Sequence, residues 1–169
     1  GGPGVIATDS LVSWGGRLAE FSSETLSTLD AFLPAAWSRG NPVDILGDAG
    51  PERYRRTLEA VLDDENVDGV LVILTPQAMT DPVGAARELV GLSNHGKKTL
   101  LCSWMGEYEV EKGREVLAAG NIPVYRIPEN GVRSFMNLYR YSRNLELLYE
   151  TPATIPNAFA PNTAANRRL

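Results

Sequence analysis

An unbroken apolar run, Val70 to Leu74, constrains this chain more than any other stretch. Such a run is typical of a strand that is buried on both faces of a parallel sheet. Thr75-Pro76-Gln77 interrupts it, and Asp81-Pro82 then predicts a helix start, with Asp81 as the N-cap and Pro82 in the first helical position. We therefore predict a strand, a short loop and a helix.

The loop after this run is the first candidate for a ligand site. In an open α/β sheet it lies at the carboxyl end of a strand, where ligands bind. Its backbone N–H groups and the dipole of the following helix suit an anion, a phosphate above all. A plain strand-to-helix connection fits the same pattern, so both interpretations stay open.

The remaining chain alternates between helical and extended patterns in the same way. Helices are predicted at 7–14, 22–33, 51–61, 81–96, 107–119 and 130–149, further strands at 99–103 and 122–125, and a short strand that runs into a loop at 41–48. In the last helix we expect an inward stripe of Phe135, Leu138, Ser142, Leu145 and Tyr149. This order predicts a three-layer α/β fold with an open, mainly parallel sheet, right-handed crossovers and helices on both faces.

The two ends of the chain read differently from its middle. Gly1-Gly2-Pro3-Gly4 leads into a helix with no strand before it, so we expect a sheet that lacks its first strand. The chain begins without Met, which is typical of a piece excised from a longer protein. Residues 1–150 are predicted to form one domain, and the Pro- and Asn-rich residues 151–169 a linker or tail.

Composition narrows the classes of partner. The net charge is −5 with no basic block, which argues against nucleic acid and anionic membranes as partners. The one cysteine, Cys102, lies in an apolar run, which excludes a disulfide framework and a thiolate zinc cluster. No apolar run is long enough to span a bilayer, and a reducing, cytoplasmic setting fits.

Few side chains are candidates for a catalytic, metal-binding or ligand-binding role. The one histidine, His95, lies at a predicted helix end, which favours capping or exposure over catalysis, and no nucleophile elbow or Gly-rich phosphate loop is present. Asp44 and Asp48 follow a predicted strand, where carboxylates can hold Mg²⁺ or a ribose. We favour helix or turn capping for Asp48 and leave Asp44 open. Trp104 lies on the same rim, where exposure would indicate an interface and burial a core residue.

Several segments together resemble one family. They are Gly-Gly-Pro-Gly-Val-Ile-Ala-Thr-Asp at the start, Asn-Pro-Val-Asp-Ile at 41–45, Glu-Arg-Tyr at 52–54 and Val-Asp-Gly-Val-Leu-Val-Ile-Leu-Thr-Pro-Gln-Ala at 67–78. The set resembles the NDP-forming acyl-CoA synthetases, such as ADP-forming acetate–CoA ligase. The layout is similar to the C-terminal flavodoxin-like domain of the succinyl-CoA synthetase beta subunit, over about residues 1–150.

The resemblance implies a role inside a multidomain enzyme. Such enzymes interconvert acyl-CoA, phosphate and NDP with acid, CoA and NTP through an acyl phosphate and a phosphohistidine. The CoA-binding, phosphohistidine and ATP-grasp domains are separate, so CoA, ADP or ATP and Mg²⁺ belong to the parent and no cofactor to this domain. The domain resembling ours supplies a helix N-terminus to the phosphohistidine, which here implies phosphate-binding residues Thr75, Gln77, Ala78 and Met79, and no catalytic residue. Gly2, Gly4 and Asp44 are further candidates for an interface or ligand contact.

The chain departs from the succinyl branch of this family at the loop. A glycine pair there is replaced by Pro76-Gln77, and Pro76 offers no N–H group. Asp81 adds a negative charge that suits a phosphate site only when the carboxylate is bound to N–H groups of its own helix.

Two other readings stay open. The chain could be a regulatory or architectural module of a lysine acetyltransferase fusion protein, since domains of this family also occur there. On fold analogy alone it could be a free-standing flavodoxin-like or receiver-like module, although it lacks a flavin phosphate loop and an acidic pair. A homodimer is a further possibility, because open sheet edges invite pairing.

Overall fold

A computed structural model describes residues 1–95 and 98–150. Within that part of the chain there are six helices and three strands. The strands are β1 (Gly69–Leu74), β2 (Thr99–Trp104) and β3 (Val124–Tyr125). The helices are α1 (Gly2–Ser13), α2 (Ser23–Asp30), α3 (Pro51–Asp63), α4 (Pro82–Gly91), α5 (Tyr108–Ala119) and α6 (Pro128–Tyr149).

The three strands form one parallel sheet in the order β1-β2-β3. Gly69 pairs with Thr99 and Leu74 with Trp104, so β1 and β2 match over their whole length. β3 pairs with β2 only at Cys102 and Ser103. β1 is therefore a full-length edge strand, whereas the β3 edge is short and follows Pro123, which cannot donate to the ladder.

Alternating side chains of β1 serve two different cores, which confirms the predicted three layers. Val70, Val72 and Leu74 pack with residues of α3, α4 and α5 on one face of the sheet. Leu71 and Ile73 pack with residues of α1 and α6 on the other. Because successive strand side chains point to opposite faces, a run that is apolar throughout requires a helical layer on each side.

The predicted strand at 41–48 is wrong: these residues form an irregular segment. The Asp44 carboxylate accepts a hydrogen bond from the Leu46 N–H at 3.0 Å, and Leu46 has a φ of +68°. A left-handed residue ends an extended run. Val43 and Ile45 instead pack against a small cluster of Leu29, Leu33 and Trp37 beside α2.

Two helix predictions also need correction. α4 ends at Gly91 instead of near Gly96, and Gly96 itself lies outside the described residues, as does the predicted tail at 151–169. In α6, Val132 and Met136 are buried, whereas Leu138 and Tyr149 are 52% and 84% exposed. The predicted inward stripe is therefore correct for Phe135, which packs against this core, and wrong for Leu138 and Tyr149, because α6 runs on beyond the sheet that buries its first half.

Candidate functional site

Three loops meet at the carboxyl edge of the sheet, around the segment from Thr75 to Met79. A Cβ atom added to Gly47 would lie 3.2 Å from Cδ of Gln77, and one added to Gly106 would lie 3.0 Å from Cγ of Pro76. The Thr75 hydroxyl donates to the sulfur of Met105 at 3.9 Å. The loops after β1 and β2 and the irregular segment before α3 are thus neighbours, as expected for an α/β ligand edge.

The start of α4 matches the sequence prediction. Asp81 is the N-cap, Pro82 follows in the first turn, and the Gly84 N–H donates to Asp81 Oδ1 at 2.8 Å. The Asp81 carboxylate is therefore bound to its own helix, which is the condition under which it suits an anion site. A Cβ on Gly84 would lie 2.3 Å from Asp81 Oδ2, so glycine is required for this close cap.

The loop before α4 keeps few free donors. Pro76 has no N–H, and the Gln77 N–H donates to Thr80 Oγ1 at 2.8 Å within a turn that the Thr80 N–H closes on the Gln77 carbonyl at 3.0 Å. Among the described residues, no acceptor is found for the N–H groups of Ala78 and Met79. Both residues are exposed. These two amides and the exposed Gln77 carboxamide, with the Thr75 N–H, for which no acceptor is found among the described residues either, are donors that the loop offers to an anion.

The other candidates, Gly2, Gly4 and Asp44, come together at the start of α1. The Gly1 amino group lies 3.0 Å from Asp44 Oδ2, and a Cβ on Gly4 would lie 3.3 Å from Cβ of Pro42. The Leu46 N–H also donates to Asp44 Oδ1 at 3.0 Å, so Asp44 caps the turn that contains Leu46.

Neighbouring ionisable groups are tied to structural roles. The hydrogen bond from Arg53 at 2.6 Å lowers the pKa of Asp48, so Asp48 is an ion-pair partner of the first turn of α3 and not the predicted cap. Burial, with the charge of Asp44, raises the pKa of Tyr54 to about 12. Tyr54 therefore stays neutral between Asp44 and the ring of Trp104, whose centroid lies 6.4 Å from its own.

Trp104 and Arg114 fix the loops behind this edge. Trp104 is fully buried, and its indole N–H donates to the Pro82 carbonyl at 3.1 Å, which ties the end of β2 to the first turn of α4. Arg114 is 8% exposed and donates to the carbonyls of Trp104 and Gly106, each at 3.0 Å, and to that of Glu107 at 3.3 Å. Its guanidinium also pairs with Glu111.

The described part of the chain offers no other centre for chemistry. Across residues 1–95 and 98–150, no group of three or more His, Cys, Asp or Glu side chains could hold a metal ion. His95 Nε2 lies 2.7 Å from Asp63 Oδ1 beyond the other end of α4, away from the loop. Cys102 is fully buried, and burial raises the pKa of its thiol. No helix in those ranges is both long and apolar enough to cross a membrane.

The fold is that of a flavodoxin-like α/β domain, and a loop at the carboxyl edge of its sheet presents exposed backbone amides. Comparison with known proteins identifies the family. The sequence model of the Ligase-CoA domain family matches residues 1–149, and the chain belongs to that family.

Relatives of this chain are ADP-forming CoA ligases. The ADP-forming acetate–CoA ligase I of Archaeoglobus fulgidus is 44% identical over 143 residues, which is 85% of this chain and 20% of that protein. The ADP-forming acetate–CoA ligase of Methanocaldococcus jannaschii is 42% identical over 84% of this chain and 21% of its own length. The chain thus spans about one fifth of the length of these curated relatives.

A solved structure agrees with this assignment. The dinucleotide-forming acetyl-coenzyme A synthetase 1 of Candidatus Korarchaeum cryptofilum, in complex with phosphate and ADP, superposes with a TM-score of 0.83 at 27% identity. The match covers 91% of this chain and 34% of that one. The family resemblance read from the sequence motifs is therefore confirmed.

Sequence reasoning missed Arg114, although a signal was present. Arg114 lies four residues after Val110 and three before Leu117, and apolar residues a heptad apart mark the inner side of a helix. A basic residue on that side must find acceptors when it is buried. The carbonyls at the end of β2, which a sequence pattern does not reveal, are those acceptors.

Proposed function

We propose that this chain is one domain of a larger ADP-forming acyl-CoA synthetase and supplies half of a phosphate site. The observation that carries the proposal is the loop from Thr75 to Met79, which enters α4 with two exposed amides, of Ala78 and Met79, that have no acceptor in the described residues. Family membership supports the reaction class, since the relatives are named as ADP-forming ligases of acetate and CoA.

In this proposal the anion is a phosphoryl group carried by a histidine of another domain. Amides at a helix N-terminus and the positive end of the helix dipole stabilise such a charge without a proton transfer. The Gln77 carboxamide of the same loop, which lies against Gly47 of the neighbouring segment, is a further donor for the anion. Two amides give only part of the coordination that a phosphate requires, so the second half of the site comes from the domain that carries the histidine.

The chain's own residues support a non-catalytic role. His95, which pairs with Asp63 at the far end of α4, cannot reach the loop. The proposed partners are the CoA-binding, phosphohistidine and ATP-grasp domains of the same enzyme, which bind CoA, ADP or ATP and Mg²⁺ in the cytoplasm. We expect the isolated chain to form no acetyl-CoA from acetate, ATP and CoA, and steady turnover by it would contradict the proposal.

A domain exchange tests the phosphate role. This chain replaces the matching segment of the Archaeoglobus fulgidus ligase, and Ala78→Pro then removes one amide donor. A hydrogen bond to a charged group contributes about 1.5–3 kcal/mol, so we expect the rate of ATP formation from acetyl-CoA, ADP and phosphate to fall roughly 10- to 100-fold.

The matched control is Ala78→Ser, which keeps the N–H group and should retain most of the rate. Thermal unfolding of both chimeras shows whether the proline has disturbed the fold. A correctly folded Ala78→Pro chimera with the full rate would remove Ala78 from the phosphate site.

A further inference from the structure

Arg114 of α5 is a buried cation that binds backbone carbonyls instead of solvent. It is 8% exposed. Its Nη1 donates to the carbonyls of Trp104 and Gly106, each at 3.0 Å, and its Nη2 to that of Glu107 at 3.3 Å. These carbonyls lie at the end of β2 and in the β2–α5 loop, residues 105–107. Because a buried guanidinium is costly unless its N–H groups are bound, the placement of Arg114 and that of this loop depend on each other.

The β2–α5 loop adjoins the start of the β1–α4 loop, residues 75–81, which contains the proposed phosphate donors. The Met105 N–H donates to the Leu74 carbonyl at 2.9 Å, just before the β1–α4 loop begins. A Cβ on Gly106 would lie 3.0 Å from Cγ of Pro76. The start of the β1–α4 loop therefore rests on the residues that Arg114 holds.

The end of the β1–α4 loop is tied to the same place. The Trp104 indole N–H donates to the Pro82 carbonyl at 3.1 Å, while the Trp104 carbonyl accepts from Arg114. Within the described residues, the hydrogen bonds of the loop tip join only Gln77 and Thr80 to each other. The position of the tip, and of its free amides, is therefore set mainly by the two ends.

We propose that Arg114 is a positioning residue of the phosphate site: by binding the carbonyls at the end of β2, it sets where the Ala78 and Met79 amides lie. It acts on the phosphoryl group only through the β1–α4 loop, so it is not a catalytic residue. A lysine cannot replace it, because a guanidinium presents a rigid planar fork of donors and an ammonium is a point charge on a flexible stem. This inference rests on the proposed phosphate role of the β1–α4 loop.

Filling the core does not require an arginine at this place in α5. Val110 and Leu117, on the same side of the helix, are fully buried in an apolar core, and an apolar side chain between them would avoid the desolvation of a charge. The ion pair of Arg114 with Glu111 offsets little of that cost, since Glu111 is exposed and solvent screens the pair. What the arginine supplies is a fixed backbone at a sharp turn, where Gly106 has a φ of +120°.

Amide NMR of the 169-residue chain tests the link between the two loops without any phosphate. Arg114→Lys should shift the backbone amide resonances of residues 77–79, although Arg114 donates no hydrogen bond to them. The matched control is Arg55→Lys, because Arg55 pairs with carboxylates of α3 and α4 and binds neither loop. Resonances of 77–79 that stay unchanged in Arg114→Lys, or that move equally in Arg55→Lys, would overturn the link.

A double-mutant cycle tests the step from the loop to the phosphate, in the chimera with the Archaeoglobus fulgidus ligase. Arg114→Lys should lower the rate of ATP formation from acetyl-CoA, ADP and phosphate roughly tenfold, because misplaced amides lose charge-assisted hydrogen bonds. In that background Ala78→Pro should cost less than about threefold more, since the amide that it removes is already out of place. In the Arg55→Lys background Ala78→Pro should keep its full effect. An arginine that only stabilised the fold would give independent losses that multiply.

The outcomes separate this inference from the proposed function. A full effect of Ala78→Pro in both backgrounds would overturn the positioning role of Arg114 and leave the phosphate role intact. No effect of Ala78→Pro alone, in a folded chimera, would overturn the phosphate role and with it this use of Arg114. Thermal unfolding shows whether each chimera folds.

A second variant tests the same link if the Arg114→Lys chimera does not fold. Gly106→Ala places a methyl group against Pro76 and displaces the β1–α4 loop while Arg114 stays in place. It should reduce the effect of Ala78→Pro in the same way. An undiminished effect of Ala78→Pro beside Gly106→Ala would overturn the link between the loops.

Discussion

The two helical layers of this domain cover opposite faces of the same sheet but differ in how far their apolar side chains are buried. On the side of α3, α4 and α5, Leu62, Leu89, Val110 and Leu117 are almost fully buried. On the side of α1 and α6 the buried residues of the core are Ala7, Val132 and Met136, and the apolar side chains around them are only partly buried. Nine of the twelve large apolar side chains that are exposed in the described residues belong to α1 and α6.

The difference shows which apolar surfaces are buried by contacts within the described part of the chain. A helix that is apolar on all sides requires cover on more than one side. α1 packs Ala7 inward, yet Val5, Ile6 and Val12 are 56%, 50% and 60% exposed. The layer of α3 to α5 is therefore buried throughout, and we call it the finished core, whereas the layer of α1 and α6 leaves apolar side chains exposed.

The largest expected effect is on the free energy of unfolding, which should respond strongly to a substitution in the core of α3 to α5 and little to one in the exposed second half of α6. Leu117→Ala deletes a fully buried side chain between α5 and the sheet and should lower the free energy of unfolding by about 2–5 kcal/mol. Leu147→Ala, at a residue that is 50% exposed, should change it by less than about 0.5 kcal/mol. Urea unfolding at low protein concentration measures both, and similar losses would show that α6 is packed along its whole length.

A second prediction concerns a buried carboxylate, Asp64, at the end of α3. Asp64, which is 3% exposed, ends α3 and accepts hydrogen bonds from the N–H groups of Ser22 at 2.8 Å and Asn66 at 2.9 Å. Burial alone would raise its pKa, but these hydrogen bonds outweigh burial and hold the pKa below the usual 3.8. Asp64→Asn should therefore cost about 1.5–3 kcal/mol at neutral pH.

The sign of the pH dependence follows from that shift. A carboxyl group whose pKa is lower in the folded state stabilises the fold above its unfolded pKa, and the contribution is lost as the pH falls through the folded pKa. The gap in unfolding free energy between the wild type and Asp64→Asn should therefore narrow from pH 7 to about pH 3. Asp68→Asn, at an exposed site, is the control, and a gap that stays constant with pH would contradict this role of the Asp64 charge.

Local sequence signals predicted the elements that follow regular periodicity. The apolar run of β1, the Asp81-Pro82 start of α4 and the Ser22 start of α2 each depend on contacts within a few residues. The segment 41–48 failed because its alternation is overridden by one side-chain hydrogen bond and a left-handed Leu46. The inward stripe predicted for α6 failed beyond Phe135, because periodicity shows which side of a helix is apolar but not whether anything covers it.

The sequence predicted the position of the candidate site but not the contacts that surround it. The loop after β1 and the cap by Asp81 could be read from the residue order, since both are local. The turn that binds the Gln77 N–H to Thr80 is also local, whereas the approach of Gly47 and Gly106 to this loop joins residues from different parts of the chain. Local sequence patterns do not encode those long-range contacts.

The smallest expected changes in stability come from alanine substitutions at two glycines, one in α5 and one in α4. In α5 a Cβ on Gly113 would lie 2.7 Å from the Pro82 carbonyl oxygen and 2.8 Å from Nε1 of Trp104. In α4 a Cβ on Gly91 would meet nothing within 4 Å. Alanine is favoured over glycine by up to about 1 kcal/mol within a helix, and less at its last residue, where Gly91 stands.

The two alanine variants should therefore differ in sign. Gly113→Ala forces α4 away from α5, and overpacking of about 1–3 kcal/mol outweighs the gain in helix propensity, so its melting temperature should fall by several degrees. Gly91→Ala should increase the free energy of unfolding by about 0.5 kcal/mol and so raise the melting temperature slightly. If both variants were stabilised, the contact between α4 and α5 would have to be loose enough to admit a methyl group. The layer of α3 to α5 could then no longer be regarded as the finished side of the domain.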